Sequence, residues 1–177
     1  MKFLLVDLNI GGGSTEFIIE KQKKTLQIFS INIGSVRMTE SFISRFPISS
    51  DEYSNIKHAI EYSLNFIPSN LELQGKTLVG VAGTVTTLAA MAQKLSPYDP
   101  DKVHKYEISI EKIIALHEEI RAKTPEQIKL MKGIQPARSD VILAGSLICV
   151  LIMNKLSLKS LIVSESELLE GIIMKNI

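Results

Sequence analysis

The stretch Asn9-Ile10-Gly11-Gly12-Gly13-Ser14-Thr15-Glu16 places three consecutive glycines between two apolar, β-branched runs near the N-terminus. This spacing predicts a turn between two strands. Because glycine has no Cβ, such a turn can adopt positive φ and bring backbone N–H groups close to an oxyanion. The pattern therefore indicates either an ordinary hairpin or a phosphate-binding loop, whose candidate ligands are Gly11, Gly12, Gly13 and Ser14.

The composition is that of a globular domain. The chain has 177 residues, of which 45% are hydrophobic and 22% are charged, enough for one domain with its own core. With a net charge of +1, the chain has no strong positive field that would attract nucleic acid or an anionic membrane, so neither partner is expected. The single cysteine, Cys149, lies in an apolar run, which favours a core role and a cytoplasmic location. The longest uncharged run, residues 141–153, is too short to span a bilayer.

The hydrophobic patterns predict an α/β chain. Three strands come first, at residues 3–8, 15–20 and 25–33, and a helix then begins at a capping box formed by Ser49 and Glu52. Next come a strand at residues 77–82 and four helices, at residues 85–95, at residues 109–123, from Thr124 and at residues 140–156. A strand at residues 160–163 and a terminal helix entered through Ser164 and Glu167 complete the order. An antiparallel meander followed by helix–strand alternation predicts a mixed five-stranded sheet with helices on both faces, which is a ribonuclease-H-like lobe.

Three polar turns are expected to meet at one edge of this sheet. Ligands bind outside the carboxyl ends of parallel strands, where residues 11–14, Gly83-Thr84 and Ser164 would emerge. Thr84 can cap the following helix and offer its N-terminus to an anion, so Gly83 and Thr84 are predicted phosphate ligands. Arg37 follows a Gly-Ser turn, and it is either a bidentate phosphate ligand or a solvated charge at the sheet edge.

Other polar residues leave two interpretations open. Arg138 and Asp140 either pair with one another at a helix entry or line the same cleft. Glu16 either contacts the glycine loop or faces solvent. The histidines have no metal-ligand spacing and are interpreted as surface or packing residues: His58, His104 and His117.

Five segments, in order, resemble the Ppx/GppA family of exopolyphosphatases and guanosine pentaphosphate phosphohydrolases, which belongs to the actin-like ATPase superfamily. Residues 9–16 resemble its Asp-Ile-Gly-Gly-Gly-Ser-Thr-Glu loop, and residues 80–88 its second glycine turn. Residues 30–42, 138–145 and 164–171 are similar to its third-strand, Arg-Ala-Asp and closing motifs. The resemblance implies an enzyme that releases terminal phosphate from inorganic polyphosphate or from pppGpp with Mg²⁺. Residues 1–177 would form its second lobe as a single domain.

The resemblance also implies what the chain needs from elsewhere. In this family, the first lobe supplies another phosphate loop and the Glu that activates the attacking water. The chain begins at the position of the second lobe, so the first lobe is expected to be absent. No catalytic residue is therefore expected here, and the chain alone is expected to be inactive or nearly so.

Several positions depart from the family pattern. Asn9 stands where the family has Asp, and an amide can bind a metal-bound water but brings no charge to hold Mg²⁺. Asp7 lies two residues earlier, on the same face of the predicted strand, and is the second candidate metal ligand. Ile128 and Lys132 replace a usual Arg and Pro, and Glu167 and Leu169 replace a Gly and an Arg. These changes predict a depleted anion site.

Three function classes remain open on the sequence. The chain is a phosphatase lobe, a non-catalytic phosphate- or nucleotide-binding or scaffold module, or a lobe of an actin-like ATPase or sugar kinase, since those proteins share the fold and the glycine loop. The predicted terminal helix also carries an apolar cluster that favours a homodimer: Leu168, Leu169, Ile172 and Ile173.

Overall fold

A computed structural model describes residues 5–20, 26–68 and 77–165. Within these ranges, one six-stranded sheet has the order β3-β2-β1-β4-β6-β5. Its strands are β1 Leu5–Ile10, β2 Thr15–Glu20, β3 Leu26–Ile31, β4 Thr77–Val81, β5 Glu107–Ser109 and β6 Ser160–Val163. The first three strands are antiparallel, while β4 runs parallel to β1 and β6 runs parallel to β4. The predicted mixed sheet is confirmed.

The edge strand β5 is a correction, because five strands were predicted. It pairs antiparallel with β6 over residues 107–109. Only Ile108 of this strand is buried, so no alternation or apolar run marks it in the sequence. Ser109, which was assigned to the following helix, is instead its N-cap and accepts a hydrogen bond from the Lys112 N–H.

Besides a short 3-10 helix at Pro136–Arg138, seven α-helices lie in the described ranges. They are α1 Ser35–Phe42, α2 Ser50–Leu64, α3 Ala82–Ala92, α4 Pro100–Val103, α5 Ile110–Arg121, α6 Pro125–Lys129 and α7 Ile142–Lys155. The predicted capping box of Ser49 and Glu52 is present at α2, and Thr124 forms another with Gln127 at α6. Helix α3 begins at Ala82 rather than at the predicted residue 85.

The described helices pack on one face of the sheet, whereas helices were predicted on both faces and the predicted terminal helix lies outside the described residues. Side chains at alternate strand positions point into this layer and are almost fully buried, among them Leu8, Phe17, Leu78 and Leu161. Helix α7 contacts α1, α2, α3 and α5, and its residues 142–150, 152 and 153 are buried. None of the described helices has the length and apolar character needed to cross a membrane.

The C-terminal predictions lie outside the described residues. They include the terminal helix beyond Glu165 and the departures at Glu167 and Leu169. The apolar cluster at residues 168–173 lies there too, so the homodimer stays a prediction.

Candidate phosphate-binding site

The glycine turn connects β1 to β2. Its first N–H, that of Gly11, donates to the Ser14 carbonyl oxygen at 3.0 Å, and the flanking Ile10 and Thr15 are paired across the hairpin. The predicted strand-to-strand turn is therefore confirmed. It lies at the carboxyl end of β1, beside the parallel strand β4.

Helix α1 and the residues before it hold the carbonyl side of this turn. The Ser35 N–H donates to Gly11 at 2.9 Å, the Arg37 N–H donates to Gly12 at 2.9 Å, and Arg37 Nε donates to Gly13 at 2.7 Å. Within the described residues, the N–H groups of Gly12, Gly13 and Ser14 donate no hydrogen bond. Three carbonyl groups are thus satisfied, while three successive amides stay available to an anion.

Gly34 permits this close approach. A Cβ at this position would lie 2.4 Å from the Gly12 carbonyl oxygen, so no larger residue fits without moving backbone. The buried Thr15 hydroxyl donates to the Ile33 carbonyl at 2.7 Å and ties the segment before α1 to β2. The carbonyl side of the turn is therefore held in place by contacts within the protein.

The second turn lies where β4 passes into α3. Ala82 has φ +69°, a left-handed conformation that is unfavourable for a residue with a Cβ, and the right-handed helix follows at once. A left-handed residue followed by a right-handed one directs successive N–H groups to the same side and forms an anion-binding concavity. No side chain caps this end of α3, so the positive end of the helix dipole is available too.

Thr84 does not cap α3, so that prediction was wrong. The N-cap is Val81, because the helix begins at Ala82, and Thr84 lies inside the first turn. Its buried hydroxyl donates to the Ile10 carbonyl oxygen at 3.2 Å. Thr84 therefore joins the second turn to the end of β1.

Arg138 lies over this second turn. A Cβ on Gly83 would be 2.3 Å from the Arg138 Nη2, so the guanidinium occupies the space beside Gly83. Among the described residues, Arg138 and Asp140 form no ion pair; the structure supports the cleft position for Arg138, whereas Asp140 is exposed. A cation at a helix N-terminus is repelled by the helix dipole, and an anion bound between them removes that repulsion.

Gly145 of α7 brings the two turns together. A Cβ on it would lie 2.9 Å from Thr84 Oγ1 and 3.4 Å from Ser35 Cβ. Ser35 Oγ in turn donates to the Gly11 carbonyl at 3.3 Å. The structure thus gathers the predicted ligands at one site: Gly11, Gly12, Gly13, Ser14, Arg37, Gly83 and Thr84.

Asn9 and Glu16 face one another across β1 and β2, next to the glycine turn. The Asn9 Oδ1 atom is buried and accepts no hydrogen bond in the described part of the chain. The Glu16 carboxylate accepts from the Ser14 hydroxyl and, at 3.2 Å, from the Ser30 hydroxyl. Glu16 therefore contacts the loop, and the Ser14 hydroxyl that was predicted to bind phosphate is engaged by it.

The residues at this position fit Mg²⁺ held together with phosphate. Mg²⁺ is commonly bound by one or two protein carboxylates plus phosphate oxygens and water, and the unsatisfied Asn9 Oδ1 adds one neutral oxygen beside Glu16. No group of three or more His, Cys, Asp and Glu able to hold a metal occurs across residues 5–20, 26–68 and 77–165. Asp7 is placed in β1 opposite Ile18 and Val79, but its side chain lies outside the described part.

The histidines and the cysteine are packing or surface residues, as predicted. His117 is buried between Tyr53 and Ser146, with a hydrogen-bond distance of 2.9 Å to each, and burial lowers its pKa to about 4. Burial raises the pKa of Cys149 to about 12, which suits a core residue rather than a nucleophile. His58 is exposed on α2.

Sequence reasoning missed the left-handed Ala82 and the contacts of Gly145. An alanine carries no signal for positive φ, since the residue type disfavours it. Gly145 lies in an apolar run without any turn signal, and its purpose becomes visible only when Thr84 packs against it. Ser164 was predicted to emerge beside the site, and its N–H donates to Gly80 at the end of β4.

Comparison with known proteins gives consistent matches over almost the whole chain. Exopolyphosphatase 2 of Mycobacterium tuberculosis is 32% identical over 178 aligned residues, covering 96% of this chain and 54% of that protein. The bifunctional 3-dehydroquinate synthase/phosphatase of Fusobacterium nucleatum is also 32% identical, covering 96% of this chain and 26% of that protein. The chain thus spans about half, or less, of these relatives' lengths.

Solved structures agree with the predicted fold class. The Ppx/GppA phosphatase of Aquifex aeolicus superposes with a TM-score of 0.88 at 28% identity, covering 99% of this chain and 57% of that one. This likeness confirms the ribonuclease-H-like, actin-like ATPase fold. The model of the Ppx/GppA phosphatase family matches residues 1–177, so the chain belongs to that family.

Proposed function

We propose that this chain is the phosphate-binding C-terminal lobe of a phosphatase that releases the terminal phosphate of inorganic polyphosphate or of pppGpp. The observation that carries the proposal is the row of three unpaired N–H groups at Gly12, Gly13 and Ser14, next to the uncapped start of α3 and Arg138. The name of the exopolyphosphatase from M. tuberculosis supports polyphosphate as the substrate class.

The two turns would bind neighbouring phosphates. The amides of residues 12–14 would donate to the oxygens of one phosphate, and the start of α3 together with Arg138 would bind the next. Phosphoryl transfer depends mainly on positioning and on stabilising charge that develops on oxygen, which preformed donors provide without reorganisation. Arg37 contributes by fixing the loop through the Gly13 carbonyl.

Hydrolysis further requires a base for the attacking water. The carboxylate nearest the glycine turn among the described residues is Glu16, and two serine hydroxyls already hydrogen-bond to it. We therefore assign the base to the first lobe, which would complete the site. The chain by itself would bind the substrate and turn it over slowly or not at all.

Mg²⁺ belongs to this proposal as the cofactor. Asn9 and Glu16 would hold it with phosphate oxygens, and when bound it would neutralise phosphate charge. Because Asn9 is neutral, Mg²⁺ binding should depend on phosphate being present. Asn9→Asp should tighten Mg²⁺ binding measured by calorimetry without substrate. Equal Mg²⁺ affinity in both proteins would exclude Asn9 as a ligand position.

Phosphate release from polyphosphate and pppGpp with Mg²⁺ tests the proposal. The chain would be assayed alone and after fusion to the N-terminal lobe of a two-lobed relative. Release by the fusion only is expected, and Arg138→Ala in the fusion should weaken it. Robust turnover by the chain alone would contradict the assignment of the base to the other lobe.

A non-catalytic phosphate-binding module is the second candidate, and Asn9 is the observation that favours it. An amide in place of a carboxylate removes the charge that the family uses at this position, whereas the backbone donors of both turns remain. Saturable polyphosphate binding with no release by either protein in the same assay would select this function.

The cellular setting is also proposed. A single buried Cys149 without a disulfide suits the reducing cytoplasm. The partners would be the anionic substrate, the first lobe and a second copy of the chain. Sedimentation of the chain as a strict monomer at high concentration would contradict the homodimer.

A further inference from the structure

A second groove lies at the opposite end of α3 from the phosphate turns. Helix α3 has 11 residues, so its two ends are about 16 Å apart. The groove has a volume of about 300 Å³, with an apolar floor and a rim of three lysines. The floor is Met91, Leu116 and Met131, and the rim is Lys94, Lys112 and Lys132.

Two of these lysines occupy positions that their local backbone disfavours. Lys94 has φ +55°, a left-handed conformation in which glycine is preferred. Lys112 lies in the first turn of α5, where the helix dipole favours acidic side chains. The dipole of α3 favours a cation at Lys94, which follows the C-cap Gln93, whereas local structure does not explain lysine at position 112; both side chains line the same groove.

The positive charge of the rim is not neutralised within the described residues. Lys94, Lys112 and Lys132 are exposed and form no ion pair there. The one acidic residue that lines the groove, Glu119, pairs with Lys123 at 3.9 Å. Three free ammonium groups around one cavity favour a ligand with several negative charges.

The floor restricts the class of that ligand. Met91 and Leu116 are buried, so Met131 is the floor residue that stays half-exposed. An inorganic anion would use the lysines alone, whereas a ligand with a flat ring beside its phosphates would also cover Met131. Thioethers make favourable contacts with aromatic rings. Gly133 has φ +88° and packs against Ala90, because a Cβ on Gly133 would lie only 2.3 Å from the Ala90 carbonyl oxygen. This contact holds the segment that contains Met131 against α3.

We propose that this groove is a binding site for a nucleoside polyphosphate, with the base against Met131 and the phosphates on the lysine rim. The site is separate from the phosphate turns. Occupation would not require the first lobe, because all six groups belong to this chain.

Calorimetric titration of the 177-residue chain with ATP tests the proposal. Lys94→Gly should weaken ATP binding about threefold, and the further change Lys112→Ala should bring the loss to about tenfold, as expected for exposed ion pairs. Met131→Gln should weaken ATP but leave inorganic triphosphate unchanged. Raising the salt concentration should weaken both ligands.

Lys105→Gly is the matched control, because Lys105 is also exposed and left-handed, with φ +65°, but does not line the groove. It removes the same charge and relieves the same conformation, and it should leave ATP affinity unchanged.

Three results would overturn the proposal. They are equal weakening of ATP and inorganic triphosphate by Met131→Gln, loss of ATP binding on Arg138→Ala rather than on the lysine changes, and absence of saturable ATP binding. Because Lys94→Gly relieves a disfavoured backbone, a loss of binding in this variant cannot be attributed to unfolding.

Discussion

The two turns that form the candidate site are stabilised in opposite ways. At residues 11–14, neighbouring donors satisfy every glycine carbonyl, and these donors come from the start of α1. At residues 82–84, the start of α3 stays uncapped, the backbone is left-handed at Ala82 and a guanidinium lies alongside. The first turn is held by hydrogen bonds, and the second is held in a disfavoured conformation by what surrounds it.

This difference separates two uses of a helix N-terminus. The N-terminus of α1 donates to the glycine loop, so its amides stabilise the protein itself. The N-terminus of α3 has no side-chain cap and remains available to a ligand. Changes in the contacts between α1 and the first turn should therefore act mainly on stability, and changes at the start of α3 mainly on anion affinity.

Gly34→Ala should have the largest effect. Its Cβ would lie 2.4 Å from a backbone oxygen of the glycine loop, which cannot move without breaking the contacts of α1. We expect a loss of about 3 kcal/mol in the free energy of unfolding, measured by urea denaturation.

Gly13→Ala is the matched control. The nearest atom to its Cβ would be Arg37 Nη2 at 3.9 Å, and its φ does not lie in the left-handed region. Stability should change by less than about 0.5 kcal/mol. Equal losses in the two variants would show that α1 does not hold the loop through this contact.

Acid should destabilise the part of α7 around Gly145, which packs against both turns. Ser146 follows Gly145, and its hydroxyl donates to Leu143, so it accepts from His117 Nδ1 while Nε2 accepts from Tyr53. Protonation of His117 removes that acceptor, and the Arg121 guanidinium, which lies 3.7 Å from the centroid of the Tyr53 ring, opposes the new charge.

The sign of the pH dependence follows from the pKa of His117, which is about 4 in the folded chain and 6.5 in the reference state. The unfolded chain takes up the proton first, so stability falls as pH drops from 6.5 to 4. The expected loss is about 2 to 3 kcal/mol. Denaturation at several pH values measures this loss of stability. His117→Gln should remove this part of the pH dependence of stability, and His58→Gln, at an exposed position, should keep it. An unchanged slope in His117→Gln would contradict the mechanism.

The sequence was sufficient to predict the parts of the fold that rest on local patterns. Glycines between apolar runs predicted the hairpin, and Ser49 with Glu52 predicted a capping box. The order of strands and helices predicted the mixed sheet, since crossover connections restrict the possible topologies.

Features that depend on contacts between distant segments could not be predicted. Strand β5 exists because β6 offers it an edge, and its three residues carry no pattern of their own. Thr84 was expected to cap a helix from its residue type, whereas the Ala82 conformation moved the helix start and turned the hydroxyl to Ile10. The cleft position of Arg138 followed from tertiary packing against Gly83.

The two arginines should separate the turns by function. Arg138→Ala should weaken polyphosphate binding about tenfold, as expected for lost charged hydrogen bonds, and change stability little. Arg37→Ala should lower stability more than Arg138→Ala does, because Nε holds the Gly13 carbonyl. Calorimetry and urea denaturation measure the two quantities. If Arg37→Ala changes affinity alone, then Arg37 is a ligand rather than a support of the loop.

Ala82→Gly should have the smallest effect and the most specific one. Left-handed backbone costs about 1 kcal/mol for a residue with a Cβ, and the added flexibility of the unfolded glycine chain offsets part of that gain, so a net stabilisation of about 0.5 kcal/mol is expected. Polyphosphate affinity should fall about twofold, because a glycine turn samples more conformations before binding.

Ser157→Gly provides the comparison for that last variant, because Ser157 is also left-handed, with φ +54°, but lies after the end of α7, away from both turns. It should gain similar stability and keep the polyphosphate affinity. A fall in affinity in both variants would mean that the effect arises from general loosening. A fall in Ala82→Gly alone would mean that the disfavoured conformation at Ala82 holds the amides in place for the anion.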